Sequence, residues 1–278
     1  MVDRRAENFE GFAYLDYDNP MVAWNIVRGV FDSPDILDES NPEQFISIAL
    51  MSMLQKPISS RLKSEWELER VRSEYYPTRV SRLRGFFVFD EVESIARFWE
   101  TENWGEHFQD QYLSDIGVSA KRSSRLDSNW IKCIWNENGD LLPNWERNAH
   151  SYWQGLPFPQ KEAIWERIVE GSITVWSMFV KHKALETVMY KWPNSLNILN
   201  YACKCAAYGD LDGQTFALIK REENRIKCSF YLRMKNIQDS IFLDRLKYYI
   251  EKNPKCSCNL YNEGETYLPD LSIYNIEF

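Results

Sequence analysis

The chain has 278 residues, 44% of them hydrophobic and 15% aromatic, enough to build one large core or two ordinary ones and too apolar to stay disordered. The formal net charge is −8, and basic and acidic residues balance at 12 each from Glu186 onward. All of the acidic excess therefore lies before Glu186, which argues against a broad nucleic-acid-binding face. The longest nearly apolar run, 46–54, is too short to span a bilayer, and the N-terminus lacks the apolar stretch of a signal peptide. A cytoplasmic protein with no membrane partner is expected.

In chain order, FAYLDY (12–17) reads as a short strand. Asp18-Asn19-Pro20 reads as a turn or helix cap, with Pro20 suited to the first helical position. Residues 21–31 then carry helical spacing up to Gly29. Residues 45–54 are expected to be a helix behind a loop, with Asn41 as its cap. Arg61 to Tyr75 is a helix with Trp66, Val71 and Tyr75 as apolar contacts and Glu65, Glu69 and Arg70 on a solvated face. After Pro77 the run Ser81-Arg82-Leu83-Arg84-Gly85 leads into a buried strand, Phe86 to Phe89, and a helix over 91–99. The pattern weakens from Thr101 to Asn148, although Asp127 to Trp135 alternates as a strand. The cysteine pairs Cys203/Cys205 and Cys256/Cys258 are spaced too tightly for an ordinary zinc site and read as reduced thiols, with no metal.

Tyr152 to Val175 is the stretch that bears most on chemistry. Tyr152-Trp153 and a glycine precede a proline-broken connector, then a segment in which Ile164, Glu166 and Ile168 share one strand face. A carboxylate between two β-branched residues is out of place on a core face and at home where that face lines a cleft. Glu170-Gly171 reads as a tight turn and Ser172 to Trp176 as a return strand. Further on, 215–219 and 226–234 read as a hairpin, 239–251 as an amphipathic helix and 271–278 as a last strand. These elements make a small α+β unit without a chemical motif, suited to recognising a partner or target.

The arrangement YW-x-G, a connector, then WE-x-[IV]-x-x-G-x-[IV]-x-V resembles a small bacterial family believed to belong to the ADP-ribosyltransferase superfamily, which includes diphtheria toxin and the poly(ADP-ribose) polymerases. YYPTRVSRLRGFFVFD resembles the same family, where a serine–arginine pair precedes a strand. The likeness covers roughly Phe12 to Phe179. It implies an α+β ADP-ribosyltransferase-like domain over 1–185, with two small, mainly antiparallel sheets around an NAD cleft, and a target-recognition extension over 186–278. It also implies that Glu166 is the catalytic residue, that Ser81 bonds the nicotinamide ribose or positions the carboxylate, that Arg82 contacts the pyrophosphate, and that Tyr152 and Trp153 sandwich the nicotinamide. The first strand of the superfamily usually carries a His or Arg that holds NAD. Here Tyr14, Leu15 and Asp16 stand in its place, and Tyr14 offers a hydroxyl or ring face instead or is an ordinary half-buried tyrosine.

The implied reaction is transfer of ADP-ribose from NAD to a macromolecular target, protein or nucleic acid. Ile164 stands where arginine-modifying members carry an acidic or amide residue, which points to another target. Bacterial members often act as toxins, effectors or phage-defence factors, a toxin having an inhibitory partner. Two alternatives stay open: an NAD glycohydrolase, and an inactive fold that serves as a binding protein.

Overall fold

In the computed structural model, which describes residues 7–34, 43–54, 59–100, 108–222, 225–254, 260 and 264–277, strands and helices are interspersed along the chain. They are β1 (Glu7–Tyr14), α1 (Pro20–Arg28), β2 (Val30–Asp32), β3 (Glu43–Ile46), α2 (Ile48–Leu54), α3 (Ser59–Tyr75), β4 (Phe86–Val88), α4 (Val92–Glu100), β5 (Leu113–Asp127), α5 (Trp145–Gln154), β6 (Trp165–Val175), α6 (Met178–Lys191), α7 (Leu196–Tyr208), β7 (Thr215–Glu222), β8 (Arg225–Leu232), α8 (Ser240–Lys252) and β9 (Ile276–Glu277). The class is α+β with two antiparallel sheets. Among the described residues no helix is long and apolar enough to cross a membrane.

Two compact units interleave in sequence: Met1–Tyr14 with Ala49–Ile173, and Leu15–Ile48 with Thr174–Phe278. The sequence suggested a single boundary at residue 185. The units divide elsewhere because α1, early in the chain, packs against α6 and α7, which come from residues 178–208.

The first unit holds a sheet in the order β1-β5-β6, with β4 also on β6. β1 and β5 run antiparallel from Glu7 opposite Ala120 to Tyr14 opposite Leu113. β4 lies antiparallel to β6, with Phe87 opposite Ile168. β5 fills the stretch whose pattern looked weak. Its buried row is Ser114, Ile116, Val118 and Ala120, alternating with exposed Asp115, Ser119 and Lys121, so period 2 is present but written largely in small residues. Helices α3 and α5 pack on the sheet through Leu68, Val71, Tyr152 and Trp153, which meet Ile168 in one hydrophobic core.

Two local expectations are corrected in this unit. β6 runs without a break through Glu170-Gly171, so there is neither a turn nor a separate return strand. Gly171 adopts φ +150°, and a Cβ there would lie 2.1 Å from the Ser119 carbonyl oxygen on β5. The glycine marks a close approach of two strands rather than a chain reversal. Glu170 is correspondingly no solvated turn residue, since its Oε2 accepts from Arg122 Nε at 3.0 Å. Gly171→Ala is expected to destabilise the protein by about 1–3 kcal/mol, because both the backbone angle and the contact with backbone atoms resist a side chain. Urea unfolding of the variant measures this.

The second correction concerns Asp127 to Trp135. Asp127 closes β5, and Ser128–Cys133 forms a 3₁₀ helix instead of a strand. The Asp127 carboxylate accepts from the backbone N–H groups of Asn129 (3.0 Å), Phe158 (2.8 Å) and Ile164 (3.1 Å). Such local bonds divert the chain from extended pairing and fix the entry to β6.

In the second unit, Asn19 Oδ1 caps α1 by accepting from Met21 N and Val22 N, Pro20 takes the first helical position, and the helix ends at Gly29. β3, β7, β8 and β9 form the second sheet, so most of it is built after residue 214 and not within 1–185 as expected. The stretch 45–54 is shared between β3 and α2, and its expected cap, Asn41, lies outside the described residues. Cys203 and Cys205 are buried on α7 and form no disulfide among the described residues, and Cys256 and Cys258 lie outside those residues.

Candidate functional site

Ile164, just before β6, and Glu166 and Ile168 on it are all buried, as the two-residue period requires. Glu166 is 7% exposed, a carboxylate set into the core side of the first unit. Burying an ionised group without partners is prohibitive, so the partners decide what it can do.

Three elements supply them. From α5, the Tyr152 hydroxyl donates to Glu166 Oε1 at 2.7 Å. The turn before β4 supplies Arg82, whose Nη1 donates to Tyr152 Oη at 2.6 Å and to Glu166 Oε1 at 3.1 Å. That turn is closed by the N–H groups of Arg84 and Gly85 bonding to Ser81 O at 3.3 and 2.8 Å. Only glycine fits at 85, where a Cβ would sit 2.4 Å from Ile168 Cγ2. From α3 comes Glu65, whose two oxygens accept from Arg82 Nε (2.9 Å) and Nη2 (3.0 Å) in a bidentate pair.

Glu65 overturns the expectation of a solvated helix face, since it is 0% exposed. The sequence did contain the signal. Glu65 stands three residues from both Leu62 and Leu68, each fully buried, so the apolar stripe of α3 passes through it.

The charges follow from this geometry. Burial opposes ionisation of Glu65, but Arg82 and then Arg61 hold its carboxyl below the usual range. Burial likewise opposes the charge on Arg82, which Glu65, Tyr152 and Glu166 more than offset, keeping it firmly protonated. For Glu166 burial wins: its carboxyl is raised above the ordinary glutamate value, although Arg82 and the Tyr152 hydrogen bond pull it down. Tyr152→Phe removes one of these two counterweights. The carboxyl titration of Glu166, followed by isotope-edited infrared difference spectra, is expected to move to still higher pH in that variant.

The structure brings Arg82, Tyr152 and Glu166 together, with Ser81 preceding Arg82 in the same turn. Ser81 is buried, and its Oγ has no hydrogen-bond partner among the described residues. Arg82 differs from the expected pyrophosphate contact, because all three of its nitrogens are committed to Glu65, Tyr152 and Glu166. Tyr152 and Trp153 meet edge to face at 5.0 Å and both are fully buried, with Trp153 Nε1 donating to Leu68 O. They form a wall behind Glu166 and leave no open ring face for a sandwich. Tyr14 is placed elsewhere, in an aromatic group with Phe89, Phe98 and Phe108, its hydroxyl accepting from Trp99 Nε1 at 2.7 Å. Burial raises its phenol to about 12.

A family model described as "Protein of unknown function (DUF2441)" matches residues 27–184, more than half of the chain. The matched span contains Glu65, Ser81, Arg82, Tyr152 and Glu166 and excludes Tyr14. No curated protein matches the chain.

Proposed function

We propose that this chain, which belongs to the family described as protein of unknown function (DUF2441), transfers ADP-ribose from NAD to a macromolecular target on an ADP-ribosyltransferase-like core, with Glu166 as the catalytic carboxylate. The observation that carries this reading is convergence. Arg82, Tyr152 and Glu166 come from three separate stretches and share one hydrogen-bonded cluster. Within it both hydrogen bonds to Glu166 fall on Oε1, and none to Oε2 is found among the described residues.

Tyr152 and Arg82 fix the orientation of the carboxylate, while Oε2 accepts a ribose hydroxyl and faces the positive charge that grows at C1′ as the bond to nicotinamide lengthens. A preorganised carboxylate in a poorly solvated site stabilises such charge more than water does. The electron pair of the breaking bond leaves with nicotinamide. A lone pair of the acceptor forms the new bond to C1′, and the acceptor's proton passes to solvent. Arg82 acts here as a positioning residue, and Ser81 Oγ offers a further hydroxyl beside it. Ile164, two residues before Glu166, stands where arginine-modifying members carry an acidic or amide residue and favours an acceptor other than arginine.

The test is incubation of the full chain with cell lysate and NAD labelled in its adenylate half. Label on a macromolecule is the expected result. Free labelled ADP-ribose alone would make water the acceptor and the protein an NAD glycohydrolase. Intact NAD would leave a non-catalytic binding protein, a reading favoured by one observation, the near-complete burial of Glu166.

A further inference from the structure

The Glu65–Arg82–Glu166 cluster has a fourth charged member that the reaction above does not use. Arg61 lies one helical turn before Glu65 on α3, and its Nη2 approaches Glu65 Oε1 at 3.4 Å, a weak bond beside the bidentate pair that Arg82 makes with the same carboxylate. Its guanidinium lies over the Trp135 ring, 4.1 Å from the centroid, and Arg82 lies 5.9 Å from the centroid of the same ring. The Arg61 side chain is 31% exposed, against 6% for Arg82. Its buried Nε has no hydrogen-bond partner among the described residues.

These facts describe a cation held flat by an aromatic face, with donors beyond its one weak bond to Glu65, at the edge of a cluster in which a single other arginine, Arg82, faces two carboxylates. Arg82 is saturated, and Arg79 is spent on the carbonyls of Trp153 and Gln154. A stacked, partly exposed guanidinium with an uncommitted Nη1 is a form of arginine that suits phosphate oxygens. Resting on the reading of Glu166 as the catalytic carboxylate, we infer that Arg61 binds the diphosphate of the donor nucleotide. A diphosphate is joined to the nicotinamide ribose through its 5′ carbon, so it lies one sugar away from the bond that breaks. Arg61 makes no direct bond to Glu166 among the described residues and is linked to it through Glu65 and Arg82. A cation on α3 also takes over the task that the first strand, with Tyr14, Leu15 and Asp16, has no His or Arg to perform.

The test compares wild type, Arg61→Gln, Arg61→Lys and Arg84→Gln, each first shown to be folded by circular dichroism and thermal unfolding. Arg84 belongs to the same turn as Arg82, and its side chain makes no hydrogen bond among the described residues, so it controls for loss of a nearby positive charge. Binding of ADP-ribose and of inorganic pyrophosphate is measured by titration calorimetry, and KM and kcat for NAD by nicotinamide release. Arg61→Gln is expected to weaken both ligands and raise KM at least about tenfold, the loss of one charge-assisted contact, with kcat little changed. Arg61→Lys should recover part of the affinity, and Arg84→Gln should match wild type. Unchanged affinity in Arg61→Gln beside normal NAD turnover in wild type overturns this inference alone. Weakened ADP-ribose binding in Arg61→Gln with no NAD turnover in wild type keeps the anion site and overturns the catalytic reading. A wild type that binds none of these ligands overturns both.

Discussion

Glu65→Gln is expected to lower the free energy of unfolding by about 3–5 kcal/mol, the largest stability effect anticipated in the cluster. The substitution keeps the shape of the side chain and removes only the charge that faces Arg82 on two sides. A buried ion pair adds little net stability when intact, yet deleting one partner strands the other charge away from water, and that loss is large. The pH dependence gives a second check. Because the Glu65 carboxyl is held below its unfolded value, its contribution is fully present above the ordinary glutamate range. It is lost as pH falls through the depressed folded-state value. The gap between wild type and variant, measured by urea unfolding, should therefore be widest near neutral pH and close in acid. A constant gap across that range would mean that Glu65 contributes shape rather than charge.

Glu166→Gln is expected to reduce turnover of NAD by at least about 10²- to 10³-fold while leaving its binding much less affected. An interaction that strengthens as charge develops acts on the transition state and hardly on the bound substrate. Glu166 has only its Oε1 engaged and keeps 9% side-chain exposure, so the variant should cost less stability than Glu65→Gln. Two other acids on either side serve as comparisons. Glu162 is exposed and pairs with Arg97 at 2.7 Å, and Glu170 pairs with Arg122. Full turnover in Glu166→Gln with loss in Glu170→Gln would assign the chemistry to the wrong side of β6. Retention in all three would remove the catalytic reading.

Much of the local structure could be read directly from the residues. Asn19-Pro20 and Gly29 bound α1, the run up to Tyr75 before Pro77 marked α3, although Tyr75 is exposed and not the apolar contact expected, and the run of phenylalanines before Asp90 marked β4. The inward row Ile164–Glu166–Ile168 followed from period 2 alone. What escaped was non-local. β5 hides its alternation because half its buried row is serine and alanine, whose small side chains carry a weak hydrophobic signal. Gly171 was misread as a turn because nothing local distinguishes a glycine that reverses the chain from one that admits a neighbouring strand at close range. Glu65 was missed for a related reason. Its place on the stripe of Leu62 and Leu68 was legible, but the arginine that neutralises its charge arrives from a turn 17 residues away. The interleaving of the two units could not be read either, since it depends on which helices α1 meets and not on any composition shift.

The most direct test of the account is a crystal structure of the full chain in its Glu166→Gln form, soaked with NAD so that the donor stays intact. The account expects a ribose hydroxyl within hydrogen-bond distance of the side chain at 166 and the diphosphate against Arg61. NAD bound away from this cluster, or absent at saturating concentration with residue 166 still enclosed by Arg82 and Tyr152, would contradict it.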